Sequence, residues 1–215
     1  MTDAPNPDSP TKQNHWAFLR RGFPVARATG THIALFALFF AAACILKWDI
    51  ATNLSSALEN AGDPLLMSRW LYRGVEWLLG DVSGSIFDIG FYYPLRGAWV
   101  YTDHIFAEAL LSLPVAAFTR EPLAFYNFAA LMTIALSGYT TFLLVRELTN
   151  NPWAALWAAV AYLIIPQRLV KLSLGHMNLV VTEFLPLVLF AIVRWARARD
   201  IRSAVLAGLA FGIHG

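Results

Sequence analysis

Apolar residues gather in blocks suited to crossing a lipid bilayer, and polar residues are largely confined to the intervals between them. The first block covers residues 30–48. Others follow at 104–118, 123–145, 153–166 and 178–195, and a last one opens near Ser203 and runs to Gly215. A helix needs about 20 apolar residues to cover the hydrocarbon core. Lipid offers no partner to an open sheet edge, so the pattern predicts helices. The expected fold is all-α, a polytopic helical membrane protein with juxtamembrane helices in a large first outer loop.

Residues 1–29 are polar and carry Pro5, Pro7 and Pro10, which predicts a disordered cytoplasmic tail. Residues 30–215 form the expected transmembrane domain. A cleaved signal peptide is set aside: the apolar run exceeds an h-region, and no small-residue cleavage site ends it before Lys47 and Trp48. Because another block begins near the end, the chain is expected to be truncated at 215.

Orientation follows from basic residues in short loops. Arg20, Arg21 and Arg27 precede the first block, and Arg194, Arg197, Arg199 and Arg202 are opposed only by Asp200. Both clusters are assigned to the cytoplasm, in a plasma (inner) membrane. Parity then requires that one intervening block does not cross. Residues 104–118 are chosen, being short, broken by Pro114 and carrying Glu108, so they are expected to lie along the surface. Residues 49–122 then form the outer loop. The block starting near Pro152 is expected to continue past Pro166 with a kink.

Composition supports this reading. The 215 residues are 58% hydrophobic and 14% charged, against about 25% charged in soluble domains. A net charge of +2 is too small to suggest nucleic acid. Cys44 is the one cysteine, which excludes an intramolecular disulfide and a cofactor held by cysteines.

Candidate chemistry lies in the outer loop. It holds nine of the fourteen acids but only four arginines, with many aromatic residues among them. Residues 64–79 have the periodicity of an amphipathic helix. Flat rings and scattered carboxylates suit a sugar, although surface helices also need aromatics. Asp63, in Gly62-Asp63-Pro64, reads as a catalytic acid or as a helix N-cap. Asp103 offers the same two choices, and Asp103 beside His104 is a weak signal for a divalent metal. Arg168, Lys171 and His176 fall in the second outer loop, against the charge bias. They suit a lipid phosphate, or are cations snorkelling at a helix end. Glu183, about one turn into a span, is either functional or close enough to the interface to stay hydrated.

The layout, with the run LSGYTTFLLVRELTNNPWAALWAAVAYLIIPQRLVKLSLGHMNLVVTEFLPLVLF, resembles the N-terminal part of the GT-C superfamily of membrane glycosyltransferases. That superfamily includes protein O-mannosyltransferases and lipid A aminoarabinose transferases, and the run looks most like bacterial members. The resemblance covers about residues 30–215. It implies a polyprenyl-phosphate-linked sugar donor, transfer on the outer face of the membrane, and an early loop acid as catalytic base, which Asp63 matches best. Asp103 is the nearest fit to the second acidic position. His176 stands where many members carry an acid, which leaves metal use open. Members have more helices than this chain, so activity is expected only if the frame continues. The competing expectations are a transporter or lipid flippase, which would bury acids within the membrane, and a non-catalytic assembly subunit.

Overall fold

The computed structural model describes residues 29–88, 94–101, 105–180 and 182–214. The first apolar block forms the helix Thr29–Leu46 (α1), with no acid in its first turn and no base in its last. A single turn, Trp48–Thr52 (α2), follows Lys47. The outer-loop helix Asp63–Leu79 (α3) matches the predicted amphipathic segment. It buries Met67, Trp70, Leu71 and Val75 and ends on Gly80 in the left-handed conformation, the usual stop for a helix. Residues 105–118, within the block 104–118, resolve into the short helix Phe106–Ser112 (α4) and the 3-10 turn Leu113–Ala117. Pro114 cannot donate a helical hydrogen bond, and the tighter turn begins beside it.

The central element is Pro122–Thr149 (α5), 28 residues long. At 1.5 Å per residue it extends about 42 Å. Helices α1, α3 and α4 pack against it, as does Pro152–Leu163 (α6). Gly138 marks the closest approach on α5. A Cβ there would sit 2.9 Å from Phe39 of α1 and 3.0 Å from Leu163 of α6. The backbone alone fits between those two side chains. Phe39 also meets the Phe142 ring, and the Tyr139 hydroxyl lies 3.1 Å from Nδ1 of His32.

Pro152 occupies the first turn of α6, and Asn151 caps it by accepting bonds from the amides of Trp153 and Ala154. The expected kink at Pro166 is a full break. α6 ends at Leu163, and a new helix, Pro166–Ser173 (α7), starts on the proline. A 3-10 turn, Met177–Leu179, leads to Phe184–Ala198 (α8), which forms a hairpin with Ile201–His214 (α9).

Among the described residues, three stretches are long and apolar enough to cross a membrane: Pro122–Thr149, Pro152–Ser173 and Met177–Ala198. Gly30–Leu46, Phe106–Ala117 and Ile201–Ile213 are shorter apolar helices. Large apolar side chains on these helices face outward, among them Ile33, Trp153, Trp157, Leu189 and Phe211. Such a surface is suited to lipid, because nothing in a hydrocarbon solvent drives it inward.

Candidate functional site

Asp63 is the first residue of α3, and Gly62 is the cap, without a side-chain capping bond. The N-cap alternative for Asp63 is therefore not what the geometry shows. Its carboxylate points elsewhere: Oδ2 lies 3.6 Å from Nδ1 of His176, with both side chains partly open to solvent. Pro64 behind it starts the helix and has no amide to satisfy.

His176 reaches this position through an unusual backbone. Gly175 has φ +89°, and a Cβ on it would overlap the Pro64 ring. The strand of chain between α7 and α8 thus rests directly on the first turn of α3. The His176 amide donates to the Lys171 carbonyl (3.0 Å), which closes the end of α7. Lys171 is in the last turn of that helix.

A second contact ties the same segments together. Lys47, at the end of α1, is buried. Its Nζ donates to both Glu59 carboxylate oxygens at 2.9 Å and to Ser173 Oγ at 2.6 Å. Asn127 of α5 donates to the carbonyls of Leu54 and Ala57, at 2.8 and 2.9 Å, and so fixes the chain leading to Glu59. The Tyr126 hydroxyl, buried without a hydrogen-bond partner, lies within electrostatic reach of Glu59 and Asp63. The result is a partly open acid–imidazole pair over a polar floor.

Arg168 does not join this pair. Its guanidinium turns into the bundle, donating to Ser137 Oγ (2.6 Å) and the Val180 carbonyl (3.0 Å), and it lies over the Tyr162 ring. Glu183 is fully buried nearby. Its Oε1 accepts from Thr133 Oγ1 at 3.0 Å, and its carbonyl accepts from Thr140 Oγ1 at 2.9 Å, while Oε2 has no hydrogen-bond partner among the described residues. Thr133, Ser137 and Thr140 are spaced four and three apart, so they present one polar stripe on α5. Glu108 of α4 is also buried, with Oε1 unpartnered, and stands within electrostatic reach of Glu183. Burial raises the Glu108 carboxyl to about 7.

Of the residues picked from the sequence, the structure brings Asp63 and His176 together, places Lys171 one loop away, and puts Arg168 and Glu183 in a separate interior cluster. Asp103 and His104 lie outside the described residues, as does the N-terminal tail. Sequence reasoning missed Lys47, Glu59, Ser173 and the hydroxyl stripe on α5. The stripe has a readable helical spacing, whereas the Lys47 contacts join residues too far apart in the chain to suggest a pairing. Among the described residues, no three His, Cys, Asp or Glu side chains group as a metal site requires.

Residues 85–215 match the family described as "Domain of unknown function (DUF6311)". The match covers more than half of the chain, which therefore belongs to that family. No curated protein and no solved structure matches the chain.

Proposed function

We propose that this member of the DUF6311 family is a membrane glycosyltransferase, moving a sugar from a polyprenyl-phosphate-linked donor to an acceptor hydroxyl on the outer face of the membrane. The observation that carries the reading is Asp63: a carboxylate at a helix start, not spent on capping, partly exposed and facing His176. An acid of this kind is available to take a proton from a hydroxyl. The resemblance in layout to GT-C enzymes supplies the substrate class.

In the proposed step Asp63 accepts the acceptor's proton as that oxygen bonds to the anomeric carbon. The bond from that carbon to the phosphate oxygen breaks, and the electron pair leaves on the phosphate. Lys171 provides a point charge for the departing phosphate. His176 orients Asp63. Arg168, engaged inward, acts by positioning the segment between α7 and α8 and not as a phosphate ligand. General-base assistance is worth roughly 10²–10⁴-fold. Asp63→Asn should therefore abolish transfer from lipid-linked sugar in nanodiscs while the protein stays folded and inserted. Retained transfer would remove Asp63 from the mechanism.

One observation favours a transporter or flippase instead. Glu183 and Glu108 are buried in the bundle and the partly buried Arg168 turns inward, which is where such proteins place polar groups. Flux measurements in proteoliposomes separate the two readings. A transporter should lose flux with Glu183→Gln and keep it with Asp63→Asn, with no covalent product in either case.

A further inference from the structure

At the opposite end of the bundle from Asp63, the α8–α9 hairpin forms an open cavity of about 530 Å³. Its walls are of two kinds. Phe190, Ile201 and Leu206 are apolar, and Arg194, Arg202 and Asp200 are charged. The acid is already committed. Asp200 caps α9, with Oδ1 accepting from the Ser203 amide at 2.9 Å and Oδ2 from the Ser203 hydroxyl at 2.8 Å. Those two bonds, the amide first, hold its carboxyl below the usual range, so it stays ionised. Two guanidiniums against one carboxylate leave the cavity with one net positive charge.

We propose that this cavity binds the headgroup of an anionic phospholipid. A phosphodiester carries one negative charge, which matches the excess. Guanidinium forks suit phosphate oxygens. The apolar walls are what distinguishes a lipid from free phosphate. Leu206 continues into Leu209 and Ile213, three and seven residues on, and these form an exposed apolar face along α9. An acyl chain leaving the cavity meets that face as it enters the hydrocarbon. The depth is also right, since the cavity sits where the apolar α8 gives way to four arginines within nine residues. The neighbouring cations are engaged elsewhere. Arg197 pairs with Glu147 at 3.0 Å, and Arg199 lies over the Trp195 ring, outside the cavity.

The test is native mass spectrometry of the full chain, delipidated and titrated with phosphatidylglycerol or phosphatidylcholine. The wild type should retain one phosphatidylglycerol at least tenfold more tightly than phosphatidylcholine. Arg202→Gln and Arg194→Gln should each cut that preference severalfold, and the pair should remove it. Arg199→Gln removes the same charge a few residues away and should leave the preference intact. Inorganic phosphate at millimolar concentration should not displace the lipid. Equal losses from Arg199→Gln and Arg202→Gln would reduce the effect to general attraction of anionic lipid and overturn the site. Displacement by inorganic phosphate would overturn the lipid assignment. A thermal melt of each variant that overlays the wild type shows that lost binding is not lost folding; if Arg194→Gln melts early, Arg202→Gln alone decides.

Discussion

Glu108 illustrates what burial does to a single carboxyl. On α4 it is 1% exposed, and burial raises it from an ordinary value near 4.5 to about 7. The folded protein therefore holds a proton that the unfolded chain releases in that interval. Stability is unaffected below about 4.5, falls as the pH rises toward about 7, and is flat above it. The total loss is on the order of 3 kcal/mol. Glu108→Gln cannot ionise and should flatten this slope, which a pH series of thermal unfolding in detergent would reveal. An unchanged slope would assign it to other groups. Asp63 differs because it is open to solvent and has a partner. His176→Ala should leave α3 intact, since the carboxylate caps nothing, yet lower transfer by about tenfold or more if the ring orients Asp63. A circular-dichroism melt beside a transfer assay separates the two effects. Wild-type rates from His176→Ala would make the pair incidental.

Elements meet at the site through contacts that no periodicity announces. The amphipathic α3 was legible because its apolar residues recur at helical spacing, and Pro152 marked the start of α6 because proline fits a first turn, whereas Pro166, expected to kink a continuing helix, starts α7 instead. The pairing of Asp63 with His176 was not legible. It depends on Gly175 resting on Pro64 and on Lys47 joining Glu59 to Ser173. Each is a long-range packing fact. Arg168 is expected from the sequence at a lipid phosphate, whereas its guanidinium donates to the Ser137 hydroxyl inside the bundle. Two substitutions test the junction. Gly175→Ala forces a side chain into a left-handed backbone and against Pro64, and should cost more than about 2 kcal/mol. Lys47→Met leaves Glu59 partly buried beside an apolar chain and should cost about 2 kcal/mol, because breaking a buried pair strands the remaining charge. Adding Glu59→Gln to Lys47→Met should restore most of that loss in a double-mutant cycle. Purely additive losses would show that the pair is not coupled.

At the scale of the whole molecule, the contacts sort the chain into two ends. Lys47, Glu59, Asp63, Ser173 and His176 are joined at one end, beyond the start of α5. Glu147 and Arg197 are paired at the other, near the end of α5, with Arg197 also donating to the Glu147 carbonyl. α1 runs between them: His32 meets Tyr139 toward the second end, and Lys47 finishes at the first. The start of α1 therefore lies toward the end that carries Arg197. The topology expected from the charge bias needs α1, α5, the pair α6 and α7, and α8 to cross in alternating directions while the apolar block 104–118 does not cross. The apolar stretch Phe106–Ala117 is one of the shorter apolar helices, and α4 lies against α3 and α5. Single cysteines placed in a Cys44→Ala background should decide the matter. Positions beside Asp63, Glu121 and Lys171 should react with an impermeant maleimide added outside intact cells, and positions beside Arg146 and Arg199 should react only after the membrane is opened. Labelling at Glu121 from the inside alone would mean that residues 104–118 cross. The Asp63 end and the start of α5 would then lie on opposite faces, and the junction of Lys47, Glu59 and Ser173 could not form.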